Sequence, residues 1–348
     1  MHSQRSGFKL RYLWLLVLLL CLTCGRTAAT PIPPPTEVVP TATSVLPPAD
    51  IVPTAIQAPP PTEVAPTATT IPEQPTLSGD HPCTIVAGGM QREYVLHIPP
   101  GYDPAQPAAL VLAYHGFGLS AQEMMRISGL SAQADQDNFL VAYPEGSGSR
   151  PSWNGGTCCG EAMLRQVDDV GFTRAMIEDI AQQVSLDRSR IYATGFSNGA
   201  IMVYWLACDL ADQIAAIGPV SAAPATTSCS PSRPVSVIHF HGDADALNPY
   251  EGVERSGGAD FMPVEDGIDL WLGLDGCPTQ GQETQTGNIV HRVYAPCQQN
   301  SAVELYKILG GEHAWPGGEA VSGQIGEPTD EIDATALMWA FFREHPQP

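Results

Sequence analysis

Arg190-Ile191-Tyr192-Ala193-Thr194-Gly195-Phe196-Ser197-Asn198-Gly199-Ala200 leads into Ile201-Met202-Val203-Tyr204-Trp205-Leu206-Ala207-Cys208. The first five residues read as a buried strand, and the run from Ala200 to Cys208 reads as a buried helix. Between them stands Gly-x-Ser-x-Gly. A strand-to-helix turn of this kind is so tight that side chains at both glycine positions would clash, and the serine is pushed out above the sheet. The N-terminus of the following helix points at Ser197 and favours negative charge there. In a chain with 33 glycines the five-residue pattern alone is weak. Its strand-turn-helix setting is what makes Ser197 a candidate nucleophile.

A serine hydroxyl needs a base, and the base needs a third group to orient it. Downstream, the buried-strand pattern from Pro234 to Gly242 runs into Asp243-Ala244-Asp245, and Val303 to Leu309 alternates like a strand before Gly310-Gly311-Glu312-His313. An acid and a histidine thus follow predicted strands in the order Ser, Asp, His. Asp243 directly follows Gly242, where the chain must turn, so it reads as the turn-stabilising residue. Asp245 is the candidate acid and His313 the candidate base. An oxyanion needs two backbone N–H groups, one from the residue after the nucleophile, Asn198, and one from a loop after an early strand. The strand at 108–114 delivers His115-Gly116-Phe117-Gly118. Phe117 supplies the second candidate N–H, and His115 reads as a brace for the loop. Trp153 and Trp315 are candidates for lining an acyl or aromatic pocket, with plain packing as the alternative.

These pieces, with Ser152-Trp153-Asn154-Gly155-Gly156-Thr157-Cys158-Cys159-Gly160, Val167-Asp168-Asp169-Val170-Gly171-Phe172 and His313-Ala314-Trp315-Pro316-Gly317-Gly318, carry a resemblance. The chain from Glu93 to Pro346 resembles the secreted esterases grouped with bacterial feruloyl esterases and polyhydroxybutyrate depolymerases. The resemblance implies an α/β-hydrolase fold and Ser197, Asp245 and His313 as a triad. It offers feruloyl or acetyl esters of plant polysaccharide, or hydroxyalkanoate esters, as substrates. The chain departs from the family pattern at Ala246-Leu247-Asn248, where Pro-x-Val is usual, and at Glu312, where Gly is usual.

Predicted strands at 92–98, 108–114, 139–143, 190–195, 214–220, 235–241 and 303–309 alternate with helical stretches near 121–136, 169–184, 198–210, 261–274 and 329–344. That alternation argues a mostly parallel central sheet with helices on both faces, and residues 80–348 suit one large α/β domain. Asp168 and Asp169 read as caps of the helix they open.

Residues 1–24 carry Arg5, Lys9 and Arg11 before a short apolar run, the pattern of an export signal. Cys24 leaves two outcomes open, acylation as a membrane tether and ordinary secretion to the outside of the cell. Residues 25–79 read as a Pro- and Thr-rich stalk with an internal duplication, Pro33–Ser44 recurring as Pro59–Thr70. Seven of the nine cysteines follow the stalk and in an exported chain should mostly pair. Cys277 and Cys297 bracket a polar excursion and are the expected disulfide. Adjacent Cys158 and Cys159 are expected to reach separate partners, with Cys208, Cys229 and Cys83 available.

The formal charge of −21 argues against nucleic acid. His and Cys are scattered without metal-ligand spacing, so neither metal nor other cofactor is expected. No appended polymer-binding module is apparent, and a monomer acting on soluble or loosely attached esters is the expectation. The rival from another class is a non-catalytic, envelope-tethered binding protein on the same scaffold.

Overall fold

In the computed structural model, which describes residues 78–226, 228–253, 261–320 and 326–348, the apolar runs become the inner strands of one sheet. The leader, Cys24 and the stalk as far as residue 77 lie outside the described residues. The strands are β1 (Gly79–Ala87), β2 (Met90–Ile98), β3 (Ala108–Tyr114), β4 (Leu140–Pro144), β5 (Leu186–Phe196), β6 (Ala216–Val220), β7 (Ser236–Gly242), β8 (Gln282–Thr286), β9 (Ile289–Tyr294) and β10 (Val303–Ile308). The helices are α1 (Ala121–Ser128), α2 (Leu130–Asp137), α3 (Gly160–Leu164), α4 (Asp169–Gln183), α5 (Asn198–Asp209), α6 (Val264–Asp275) and α7 (Ala334–Glu344).

The spatial order is β1-β2-β4-β3-β5-β6-β7-β10-β9-β8. Pairing is parallel from β4 through β3, β5, β6 and β7 to β10, and antiparallel in the additions at each edge. Side chains alternate across a strand, and β3 uses both faces. Leu110, Leu112 and Tyr114 enter one core cluster with Met176 of α4, Leu206 of α5 and Trp271 of α6. Ala109, Val111 and Ala113 enter a second with Met124 of α1, Ala134 of α2 and Phe342 of α7. Burial on both sides is why these strands read as continuous apolar runs.

The fold differs from the sequence expectation in several places. The helix expected at 121–136 is two helices, because Gly129 adopts φ 62°, capping α1 and opening α2. The polar excursion between Cys277 and Cys297 is the β8–β9 hairpin, and the structure pairs those two cysteines at its base. Cys158 and Cys159 do not reach separate partners. They are bonded to each other, with Cα atoms 3.1 Å apart, short of the usual range of about 4.4–6.8 Å. Cys208 pairs with Cys229, and Cys83 on β1 stays a thiol, so none of the three serves the 158–159 pair. Asp168 caps α4 through the Gly171 N–H at 2.7 Å. Asp169 is instead buried, bonded to Arg92 at 2.8 Å and to the Asn154 N–H at 2.8 Å.

Parallel strands bring their carboxyl ends to one rim, where open α/β sheets bind ligands. The segments after β3, β5, β7 and β10 therefore converge there.

Candidate active site

Ser197 sits between β5 and α5 at φ 56° and ψ −117°, a backbone region that costs a non-glycine residue of order 1–3 kcal/mol. The flanking glycines make this turn feasible. A Cβ on Gly195 would run into the Gly199 carbonyl, and one on Gly199 into the Tyr114 carbonyl of the neighbouring strand. The strand, the turn and the helix at this point were legible from residue types alone; the strain was not.

Asp245 and His313, each almost fully buried, lie in the loops after β7 and β10. His313 Nδ1 donates to Asp245 Oδ2 at 2.7 Å. Asp245 Oδ1 accepts the N–H groups of Leu247 and Asn248, each at 2.8 Å. Burial by itself would raise this carboxyl's pKa. Hydrogen bonds from His241 and His313 overcome it and hold the group well below the usual carboxylate range. With Nδ1–H committed to the carboxylate, a neutral His313 carries its lone pair on Nε2. Ser197 and His313 line the same cleft, of about 990 Å³. In this state no hydrogen bond joins the hydroxyl to the imidazole. The polar neighbour of Ser197 Oγ is Asn248 Nδ2, at 3.5 Å. Catalytic hydrogen bonds are often loose before substrate binds. Asp243 accepts the Gly310 N–H at 2.6 Å and so joins the β7 turn to the β10 turn.

Phe117 and Asn198 both line the cleft beside Ser197. Among the described residues neither backbone N–H has a protein acceptor. The loop carrying Phe117 is fixed from below. His115 Nδ1–H donates to the Gly116 carbonyl at 2.8 Å, and Nε2 accepts the Gly146 N–H at 2.9 Å. Both ring nitrogens are thereby used by a neutral imidazole, and burial pushes its pKa down to about 4. The Asn198 side chain accepts from the Trp153 N–H at 2.8 Å and donates to the Trp153 carbonyl at 3.1 Å, clamping the loop behind the serine.

Trp153 and Trp315 do not line the cleft. Trp153 is fully buried and gives its indole N–H to the His115 carbonyl at 2.9 Å, so it supports the 115–118 loop from the inside. Trp315 is also buried and donates to Thr335 Oγ1 at 3.0 Å, tying the His313 loop to α7. The apolar wall comes instead from Phe117, Ile201, Leu247, Phe261 and the Cys158–Cys159 pair. Phe117 and Leu247 are large apolar residues left exposed at the cleft. Leu247, two residues beyond the acid, carried a signal that the sequence reading passed over: an apolar side chain in a turn at the sheet rim. Asn248 and Arg150 also face the cleft, and the Arg150 guanidinium lies 4.4 Å from the centre of the Phe117 ring.

The fold is that of the α/β-hydrolases, and Ser197 stands on the turn between β5 and α5. The chain is a homologue of proteins named as esterases. It is 32% identical over 234 residues to feruloyl esterase B of Piromyces equi, covering 64% of this chain and 42% of that protein. It is 35% identical over 178 residues to the putative esterase NocK of Nocardia uniformis subsp. tsuyamanensis, covering 49% and 50%. The chain thus spans half or less of the length of these relatives. Among solved structures, the acetyl xylan esterase from Aspergillus awamori superposes with a TM-score of 0.55 at 14% identity, covering 76% of this chain and 99% of that one, a likeness of fold. No family model matches the chain.

Proposed function

We propose that this chain is an exported serine carboxylic-ester hydrolase working through an acyl-enzyme on feruloyl or acetyl esters of plant polysaccharide. The observation that carries the reading is the His313–Asp245 hydrogen bond of 2.7 Å at the cleft that Ser197 also lines. The free Nε2 lone pair takes the Ser197 proton as Oγ attacks the ester carbonyl. The oxyanion then forms against the Phe117 and Asn198 N–H groups, each such donor contributing about 3 kcal/mol. The intermediate collapses as the alcohol leaves, taking the proton from His313. Water repeats the sequence, and the acid and Ser197 are released. Asp245 holds the imidazole tautomer and stabilises its cation without itself becoming protonated.

The substrate class rests on the homologues' names and on the wall of Phe117, Leu247 and Phe261, which suits an aromatic or short apolar acyl group. Export rests on the leader pattern and on the disulfides. The test compares wild type with Ser197→Ala on p-nitrophenyl acetate, methyl ferulate, acetylated xylan and a hydroxybutyrate oligomer. The reading expects wild type to cleave the ferulate or the acetylated xylan in preference to the oligomer. It expects the variant to lose all hydrolysis at an unchanged unfolding temperature. Activity retained by Ser197→Ala refutes the reading.

A further inference from the structure

Behind Asp245 lies a line of buried polar side chains that the hydrolytic chemistry above does not use. Alternation along β7 places His239 and His241 on one face of the strand. On that face they meet Tyr204, which projects from α5, the helix that begins directly after Ser197. All three are buried. Tyr204 Oη lies 2.8 Å from His239 Nδ1, and His239 Nε2 lies 3.2 Å from His241 Nδ1. His241 Nε2 lies 2.8 Å from the Asn248 carbonyl and 3.4 Å from Asp245 Oδ2.

With both rings neutral, one set of proton positions satisfies every contact. A carbonyl can only accept, so His241 Nε2 carries the proton and His241 Nδ1 is an acceptor. His239 Nε2 must then donate, which leaves His239 Nδ1 to accept from the Tyr204 hydroxyl. Burial, reinforced by the neighbouring His241, holds the His239 pKa well below its ordinary value, in keeping with a neutral ring. Burial likewise pushes the Tyr204 pKa up, keeping the phenol a donor. The donors therefore run in one direction, Tyr204 to His239 to His241 to the Asn248 carbonyl and the Asp245 carboxylate. Asn248 completes the circuit, since its Nδ2 donates to the Ser221 carbonyl at 2.8 Å and lies 3.5 Å from Ser197 Oγ.

We infer that His241 is a positioning residue for Asp245, with His239 and Tyr204 fixing its tautomer. The relay locks the turn from Asp245 to Asn248 to the nucleophile-bearing helix α5. The inference rests on the esterase reading above. None of the three side chains lines the cleft, so their loss should act on the geometry of the triad and not on substrate binding. Misplacing reacting groups by about 1 Å can cost on the order of 100-fold in rate.

The test measures kcat and KM for p-nitrophenyl acetate with wild type, His241→Phe, His241→Gln, Tyr204→Phe and Ser197→Ala, with thermal unfolding as a check on folding. His241→Phe keeps a ring and removes the donor. Its kcat is expected to fall at least tenfold, with KM within about twofold of wild type. His241→Gln restores an N–H and is expected to return kcat to within about threefold. Tyr204→Phe, the mildest change in volume, is expected to lower kcat at least threefold at constant KM, and it carries the test if His241→Phe does not fold. Wild-type kcat in folded His241→Phe or in Tyr204→Phe overturns the relay, as does failure of glutamine to restore activity. Retained activity in Ser197→Ala would instead overturn the esterase reading, and the relay's role with it.

Discussion

At Asp245 burial and hydrogen bonding pull in opposite directions, and the contacts from His241 and His313 decide the outcome. The carboxylate stays ionised and holds the His313 Nδ1–H. Asp245→Asn keeps the shape but presents an amide that can stabilise the wrong tautomer. The expected result is a fall in kcat of roughly 10³–10⁴-fold with little change in unfolding temperature, measured by steady-state hydrolysis and calorimetry. The order Ser, Asp, His was legible in the sequence because each residue follows its own strand. The structure sets Asp245 and not Asp243 against His313, and in the sequence only Asp243 abuts Gly242. Trp153 and Trp315 were misjudged because an indole offers the same apolar body to a pocket or to a core, and burial depth is set by tertiary packing. His239 and His241 were hidden for a related reason. In a run as apolar as Val235 to His241, two histidines lie on one face, and nothing in the strand itself says what they meet there.

The turn at Ser197 depends on a helix lying closer to a strand than any side chain would permit. Gly199→Ala places a methyl against the Tyr114 carbonyl, forcing α5 away from β3. The expected cost is about 1–3 kcal/mol in stability together with a loss of kcat greater than tenfold, read by denaturant unfolding and hydrolysis. The β8–β9 hairpin depends on a covalent closure. β8 is polar and exposed along its length, so that arm of the hairpin has little apolar burial to hold it. The Cys277–Cys297 bond spans 20 residues, and on the chain-entropy model it contributes about 3 kcal/mol. Replacing both cysteines with serine is expected to lower the unfolding temperature by roughly 5–10 °C while leaving kcat intact. Edge elements were the least legible part of the fold. β8 has no apolar period to read, and β1 alternates only between intermediate and exposed positions. The inner parallel strands, buried on both faces, announced themselves as apolar runs. The break between α1 and α2 rests on the single residue Gly129, and a lone glycine is compatible with a continuous helix.

For the whole molecule, stability against pH is a sum over groups that act in opposite senses. His115 titrates at about 4 in the folded chain against about 6.5 unfolded. Between those values the unfolded chain binds more protons. The contribution of His115 is therefore complete above pH 6.5 and is lost as the pH falls through 4. Asp275 runs the other way. Burial pushes it up to about 7, so the folded chain keeps a proton that the unfolded chain has released, and stability is lost as the pH rises towards 7. A difference measurement isolates one group. The stability gap between wild type and His115→Asn is expected to shrink by on the order of 3 kcal/mol between pH 7 and pH 4, as followed by chemical denaturation at each pH. A gap that stays constant would mean that His115 is not held neutral beneath Phe117. The most direct measurement of the proposed hydrolase reading is covalent labelling by a fluorophosphonate, with the modified peptide identified by mass spectrometry. Rapid modification at Ser197, abolished in His313→Ala and absent after unfolding, is the expected result. A native protein that leaves Ser197 unlabelled, or labels it equally fast without His313, would contradict the proposed triad.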